Sequence, residues 1–337
     1  MDPGEQRPLG RSRVCVSRLG LGGAALGNLY APVTDADARA AVDAAWRVGV
    51  RYFDTAPLYG FGLSERRLGD ALRPRDGAVV STKVGRRLHP APGREDGGFV
   101  DALPFEPRWD YSYDGARRSL DDSLQRLGLD HVDVALVHDI GALTHGPEQH
   151  AERFKQALDG AYRALDELRA QGVLGAIGLG VNESEVCAEL LAHADPDCFL
   201  LAGRYTLLEQ TPLDSLLPLC AERGVSLVVG GPYNSGLLAA SPAAGGTYDY
   251  QRAPPEILAR AQAIDRVCNA HGVALPAAAL QFPLLHPQVA AVIPGARSAR
   301  EVEQNAERMR APIPPALWAD LREGGWLHPE APIEAGP

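Results

Sequence analysis

Short apolar, often β-branched runs alternate along the chain with segments whose apolar positions recur every three or four residues. These are the two periods that separate strand from helix. Strands are predicted over 19–21, 52–56, 79–84, 132–138, 175–181, 198–202, 225–229 and 289–293. Helices are predicted over 38–48, 64–72, 113–127, 152–171, 183–193, 213–223, 255–271 and 299–308. Thr34-Asp35 supplies an N-cap for the first of them, since a short oxygen-bearing side chain there accepts from an otherwise unpaired amide. A short leading hairpin is expected over 14–19. About eight strand-helix units without a linker imply parallel strands joined by right-handed crossovers, which close most readily as a barrel. The expected fold class is therefore α/β: one (β/α)8 TIM barrel domain across 1–337, its ordered part running from about residue 8 to about residue 327, with a short N-terminal β-hairpin and extended substrate loops.

Three stretches interrupt the alternation, 86–110, 237–252 and 311–337. Each is rich in Gly and Pro and longer than an ordinary connection of about 2–6 residues. Together with 139–146 they are assigned to a substrate pocket, and the last ten residues, on composition, to surface decoration or disorder.

Barrels of this kind place their chemistry at the carboxyl ends of the strands. There, Tyr52-Phe53-Asp54-Thr55-Ala56-Pro57-Leu58-Tyr59-Gly60 runs from an apolar strand into an aspartate and then a turn bearing a tyrosine. A carboxylate at a buried strand end is costly to desolvate unless a cation meets it. Lys83, which closes Val79-Val80-Ser81-Thr82-Lys83, is the candidate, and the next strand ends in His138. A free phenol titrates near pH ~10, too high for a good base at neutral pH. An ammonium beside it favours the phenolate, a carboxylate behind the ammonium holds that charge in place, and an imidazole opposite can orient a carbonyl or alcohol oxygen. Singly, Asp54 reads as a turn cap, Tyr59 as a loop aromatic, Lys83 as a snorkelling strand end and His138 as a satisfied core histidine. In order on strands two, three and four, the four read together as a proton-transfer set.

These residues, with Leu19-Gly20-Leu21-Gly22-Gly23, Val137-His138, and Ile293-Pro294-Gly295-Ala296-Arg297 followed by Asn305, make the chain similar to the aldo-keto reductases over nearly its whole length. The resemblance implies an NAD(P)-dependent oxidoreductase. In it Tyr59 is general acid/base, Lys83 its pKa modulator, Asp54 the partner of the lysine and His138 the group that orients substrate. It further implies that Pro294, Gly295 and Arg297 grip the adenosine end of the dinucleotide, that Gln304 and Asn305 contact adenine, and that Asn182 holds the carboxamide. Backbone donors at a helix N-terminus beside a guanidinium also form an anion site on physical grounds. Gly20-Leu21-Gly22-Gly23-Ala24-Ala25 has the form of a dinucleotide fingerprint. No helix pattern starts on it, so it is read as a turn in which Gly22 leaves room for the nicotinamide side of the pocket. Glu301 stands where many NADP-selective members carry arginine; a carboxylate there repels a 2′-phosphate and can accept a ribose hydroxyl. Arg297 pulls the other way, so the expectation leans to NAD while allowing NADP. Ala202 or Gly203 replaces a strand-six glutamine of many relatives, and Gly230-Gly231, with Tyr233 nearby, stands where an aromatic often stacks on the nicotinamide.

Segments 203–210, 233–238 and 138–141 resemble the branch that contains L-fucose and D-threo-aldose 1-dehydrogenases, with pyridoxal 4-dehydrogenases close by. That branch implies oxidation of an aldose such as L-fucose or D-arabinose at C1 to the lactone. A pyridoxal 4-dehydrogenase or general aldehyde and ketone reductase is the alternative, and a cofactor-binding regulatory subunit the non-enzymatic one. Arg86, Asp139 and Asn234 are candidate sugar contacts, and Trp109 a stacking face.

The rest of the composition narrows partners. The 337 residues are 45% hydrophobic with a net charge of −10, which argues against nucleic acid and anionic membrane. No apolar run of 18 residues or more is present, and Met1 to Pro8 lacks a signal-peptide core. The five cysteines, without a C-x-x-C pair, fit free thiols of a reducing cytoplasm. His89, His131, His145, His150 and His286 read as surface or structural residues, and no pair has zinc-ligand spacing with a third ligand. The expected partner is a small sugar or carbonyl compound, bound by a monomer or homo-oligomer.

Overall fold

The computed structural model describes residues 1–92, 98–242 and 245–334. The parts of the expected loops that fall on 93–97, 243–244 and 335–337 lie outside the described residues. Eight parallel strands form the sheet. They are β1 (Gly20–Gly22), β2 (Tyr52–Asp54), β3 (Val79–Val84), β4 (Val134–His138), β5 (Ala176–Val181), β6 (Cys198–Ala202), β7 (Ser226–Gly230) and β8 (Val289–Ile293). Spatial order follows chain order, and the ring closes through parallel bridges Leu19–Val292 and Gly22–Gly295. A side chain at Gly22 would meet the Ile293 carbonyl oxygen at 2.8 Å, so closure requires glycine there. The chain is the (β/α)8 barrel its periodicity predicts.

Two apolar layers follow from the strand period. Inward positions such as Tyr52, Val134, Leu136, Leu200 and Ile293 pack with one another inside the ring. Outward positions such as Phe53, Val80, Val137, Phe199 and Leu227 pack against the surrounding helices. The N-terminal hairpin pairs Gln6–Pro8 with Cys15–Ser17, so its first strand lies upstream of the span expected. Its Leu9, Val14 and Val16 join the inner layer and stop the ring at the end remote from Asp54 and His138. Thr34 caps α1 (Asp35–Arg47) as expected, its side chain accepting from the Asp37 amide at 3.0 Å.

Four elements depart from the expected pattern. The stretch expected as loop after β3 contains an antiparallel ribbon, Arg86–Pro90 with Phe105–Trp109, and the 237–252 stretch contains a smaller one, Thr247–Tyr248 with Gln251–Arg252. The helix expected over 152–171 starts at Pro147 and runs to Ala170 through a π-helical segment, Ala157–Tyr162. There the Ala161 amide donates to the Tyr111 carbonyl at 2.8 Å, and at Gly160 a Cβ would lie 2.4 Å from that oxygen, so close backbone approach widens the turn. Leu275–Gln281, fully buried and without a polar face, is a helix the periodicity could not reveal.

His286 packs edge-on to Tyr205, its Nδ1 accepting from the Gln288 amide at 3.1 Å, and burial pulls its pKa down to about 4. An unfolded histidine titrates near pH ~6.5, so below that the unfolded chain binds the extra proton and stability is lost as pH falls toward the folded value. Thermal melts should therefore show a plateau above pH ~6.5 and a decline below it, shallower in His286→Asn. An identical decline in the variant would assign the effect to other groups.

Candidate active site

Register puts the key residues at one end of the ring. Asp54 ends β2, and Ser81 lies opposite it on β3; two residues on, Lys83 points to the same side, and His138 ends β4. Tyr59 arrives from the turn after β2, where Gly60 and Gly62 take left-handed φ of +61° and +96° to fold the chain back.

The Lys83 ammonium is buried and its three hydrogens find three acceptors. Nζ donates to Asp54 Oδ2 at 2.7 Å, the Thr55 carbonyl at 2.9 Å and the Tyr59 hydroxyl oxygen at 3.1 Å. Ser81 Oγ completes the carboxylate from 2.7 Å. Because the lysine donates to the phenol oxygen, the Tyr59 hydrogen is left to point away from the lysine. Burial alone would pull Lys83 down, but the Asp54 carboxylate outweighs it and keeps the ammonium above its ordinary value. For Tyr59 the balance differs from the expectation of an acidified phenol: burial holds it above its ordinary value of 10, and Lys83 only opposes this. His138 is pulled well below its ordinary value by burial, then by Arg86 and Lys83, so its imidazole is neutral. Its Nδ1 is buried without a partner, and Nε2 lies 3.4 Å from Asp139 Oδ2. The rings of Tyr59 and His138 stand edge to face at 6.2 Å.

A cavity of about 580 Å³ opens from Tyr59 and Asp54 across the barrel mouth. All the residues expected to hold a dinucleotide line it: Gly22 and Asn182 on the strand side, and Pro294, Gly295, Arg297, Glu301, Gln304 and Asn305 on the segment after β8. Ser298 caps the helix Ala299–Arg310. The Arg297 amide donates to Glu301 Oε2 at 2.8 Å, and the Arg297 guanidinium reaches Oε1 at 2.9 Å. This donor set already holds an anion, the protein's own carboxylate, and so has the chemistry a dinucleotide's phosphates or ribose need. Ala202, Gly203, Gly230 and Gly231 also line the cavity, but Tyr233 donates to Asn305 Oδ1 at 2.8 Å and so belongs to the end expected to take adenine.

Of the expected substrate contacts only Asn234 lines the cavity; its Nδ2 donates to the Gly203 carbonyl at 3.0 Å, and its buried Oδ1 has no partner. Arg86, Trp109 and Asp139 form a separate group beside His138. Arg86 is ion-paired with Asp139 and stacks 4.0 Å above the Trp109 ring, whose centroid lies 4.5 Å from that of His145. The ring of Trp109, expected as a stacking face for substrate, is thus stacked on by Arg86. Tyr111, with its hydroxyl 2.8 Å from the carbonyl oxygens of both His138 and Asp139, underpins this group. The sequence reading also missed Arg308, which lines the cavity and reaches Asn305 Oδ1 at 3.2 Å. Positions 301, 304, 305 and 308 share one face of the helix Ala299–Arg310, so the residue one turn beyond Gln304 faces the cavity as well.

Among the described residues no group of three or more His, Cys, Asp or Glu is placed to hold a metal ion, and no helix is long and apolar enough to cross a membrane. Comparison with known proteins gives a match to the Aldo/keto reductase family over residues 18–324. A pyridoxal 4-dehydrogenase of Microbacterium luteolum is 46% identical, over 96% of this chain and 98% of that protein. A D-threo-aldose 1-dehydrogenase of a Pseudomonas species is 43% identical, over 92% and 94%. Among solved structures, an aldo-keto reductase from Bacillus halodurans in its holo form superposes with a TM-score of 0.74 at 28% identity, over 95% of each chain.

Gly180, on β5, makes the room for the Lys83 stem: a Cβ there would lie 3.0 Å from Cε and 3.2 Å from Cδ. Gly180→Ala should displace the ammonium by a few tenths of an ångström and lower kcat about tenfold in a protein still folded by circular dichroism. Unchanged kcat would show that this contact does not set the lysine's position.

Proposed function

The chain belongs to the aldo/keto reductase family and is an NAD(P)-dependent oxidoreductase, and we propose that it oxidises a cyclic hemiacetal to the corresponding lactone, with NAD as the preferred acceptor. The observation that carries this reading is the triple donation of Lys83, which aims one phenol at the mouth of the cavity. An aldose such as L-fucose or D-arabinose, closed on itself, presents an anomeric C–H and O–H on one carbon. Bound in the cavity, the oxidised dinucleotide supplies the hydride acceptor for that C–H. The chain's residues handle the rest. Tyr59, as the phenolate that Lys83 stabilises, takes the hydroxyl proton as the carbonyl forms and becomes the neutral phenol, while Asp54 holds Lys83 charged. Neutral His138 orients the reacting oxygen, and Asn234 Oδ1 offers an acceptor to a further hydroxyl.

The preference for NAD rests on Glu301. Its carboxylate occupies the Arg297 amide and guanidinium, so a 2′-phosphate would have to displace one anion with another, whereas a ribose hydroxyl can donate to it. Pyridoxal is the second reading. Its hydroxymethyl group can close on the neighbouring aldehyde to give the same hemiacetal chemistry, and the 46% identity to a pyridoxal 4-dehydrogenase favours it. Likeness to named dehydrogenases also favours turnover over a purely regulatory role.

Mixing the protein with L-fucose, D-arabinose or pyridoxal and NAD, and following reduced cofactor and lactone, tests the reading; no lactone from any of them would sink it. Tyr59→Phe should lose a factor of about 10²–10⁴ in kcat while retaining cofactor binding. Because burial holds the phenol protonated, the oxidation rate should climb with pH from neutral into the alkaline range. Reduction of an aldehyde should stay flat until the phenol ionises, and the opposite slopes would remove Tyr59 from this role. Glu301→Gln should raise kcat/KM with NADP relative to NAD about tenfold, or ~1.4 kcal/mol. An unaltered ratio would locate cofactor choice elsewhere.

A further inference from the structure

Two tyrosines at the cavity mouth carry a feature the reaction so far does not use. Tyr30, in the segment after β1, and Tyr250, in the turn between Thr247–Tyr248 and Gln251–Arg252, both line the cavity with ring centroids 6.3 Å apart. Both are about half exposed, at 51% and 57%. Each holds a left-handed backbone, φ +66° at Tyr30 and +64° at Tyr250, with Asp249 at +46° beside the latter. Successive positive φ values in a two-residue hairpin turn belong to a type that favours Asn-Gly or Asp-Gly, and a bulky aromatic is strained in the second place. Strain of this kind persists only where the surroundings impose it.

Here they do. Arg204 grips Asp249 with both guanidinium nitrogens, at 2.8 and 3.0 Å, Tyr248 bonds Glu209, and the Tyr250 amide donates to Ser235 Oγ at 3.1 Å. On the other side the Tyr30 amide donates to the Gly98 carbonyl at 3.0 Å. The two rings are therefore fixed as one surface, too close to admit a third ring between them when each stacked pair needs about 4.5–7 Å between centroids.

We propose that Tyr30 and Tyr250 form a rigid stacking wall that binds the face of a ring-shaped substrate, aligning a cyclic hemiacetal and discriminating against small open-chain aldehydes. The wall rests on the cyclic-hemiacetal reading and names how that substrate is selected. A pyridine ring meets it with its π face and an aldose with the C–H face of its ring, the hydroxyls pointing toward Asn234 and His138.

Tyr250→Gly is the decisive variant, because glycine suits the turn and should leave the melting temperature equal or higher. With the NAD-loaded protein, calorimetric binding of 4-pyridoxolactone, a non-reacting ring ligand, should weaken about tenfold in Tyr250→Gly. Tyr250→Phe should retain wild-type affinity, and the dissociation constant of NAD alone should not move. In turnover, KM for the ring substrate should rise by a similar factor with kcat little changed, while KM for methylglyoxal reduction stays within about twofold of wild type. Unchanged ring-ligand affinity in Tyr250→Gly, a shift confined to NAD binding, or no ring-ligand binding by wild type would each overturn the wall. Intact ring binding without lactone formation would instead overturn only the proposed reaction.

Discussion

A buried ammonium with three hydrogens needs three acceptors, and the barrel mouth is arranged so that Lys83 has them. Asp54, the Thr55 carbonyl and Tyr59 come from the end of one strand and the turn beyond it, while the lysine comes from the neighbouring strand. Two strands must therefore be paired in register before the charge is satisfied. Removing the carboxylate would leave a desolvated cation, which proteins avoid by neutralising it. A neutral amine could no longer steady a phenolate. The requirement that makes the core physically tolerable is thus the one on which the role proposed for Tyr59 depends. The lack of a side chain at Gly180 is part of the same arrangement, since the stem of Lys83 occupies that space.

From that point the cavity extends to an anion-holding end built on the helix Ala299–Arg310. Its two ends are governed by different physics. At the Tyr59 end burial dominates, raising the phenol and lowering His138, so both groups are kept uncharged beside a fixed cation. At the Arg297 end the side chains are more open, and a carboxylate from the same helix balances the guanidinium. Between them the walls are largely glycine, alanine and Asn234, which leaves width for a flat ligand. Two of the excursions from the barrel that read as loops hold pinned ribbons, and Tyr250, carried on one of them, is thereby held at the mouth.

Much of this was legible before any coordinates. Strand and helix period, the N-cap at Thr34 and the order Asp54, Tyr59, Lys83, His138 on strand ends are local properties, and local properties can be read along a chain. Glu301, Gln304 and Asn305 are reached through the family resemblance, whose motif ends at Asn305 and so stops short of Arg308 on the same helix. The helix Leu275–Gln281 escaped because a segment buried on every side has no period to show.

What the chain by itself determined, then, was the barrel and the identities of the groups at its mouth, because both follow from spacing at 2 and 3.6 residues and from residue chemistry. Only the tertiary structure decided which of those groups meet. Arg86, Trp109 and Asp139 turned toward one another instead of toward the cavity, Glu301 came to rest on Arg297, and Tyr30 and Tyr250, 220 positions apart by their numbers, came within ring contact at a tilt of 41°. The net direction of the Tyr59 shift was decided there as well. Desolvation depends on everything packed around a group, and that sum has no counterpart in sequence spacing.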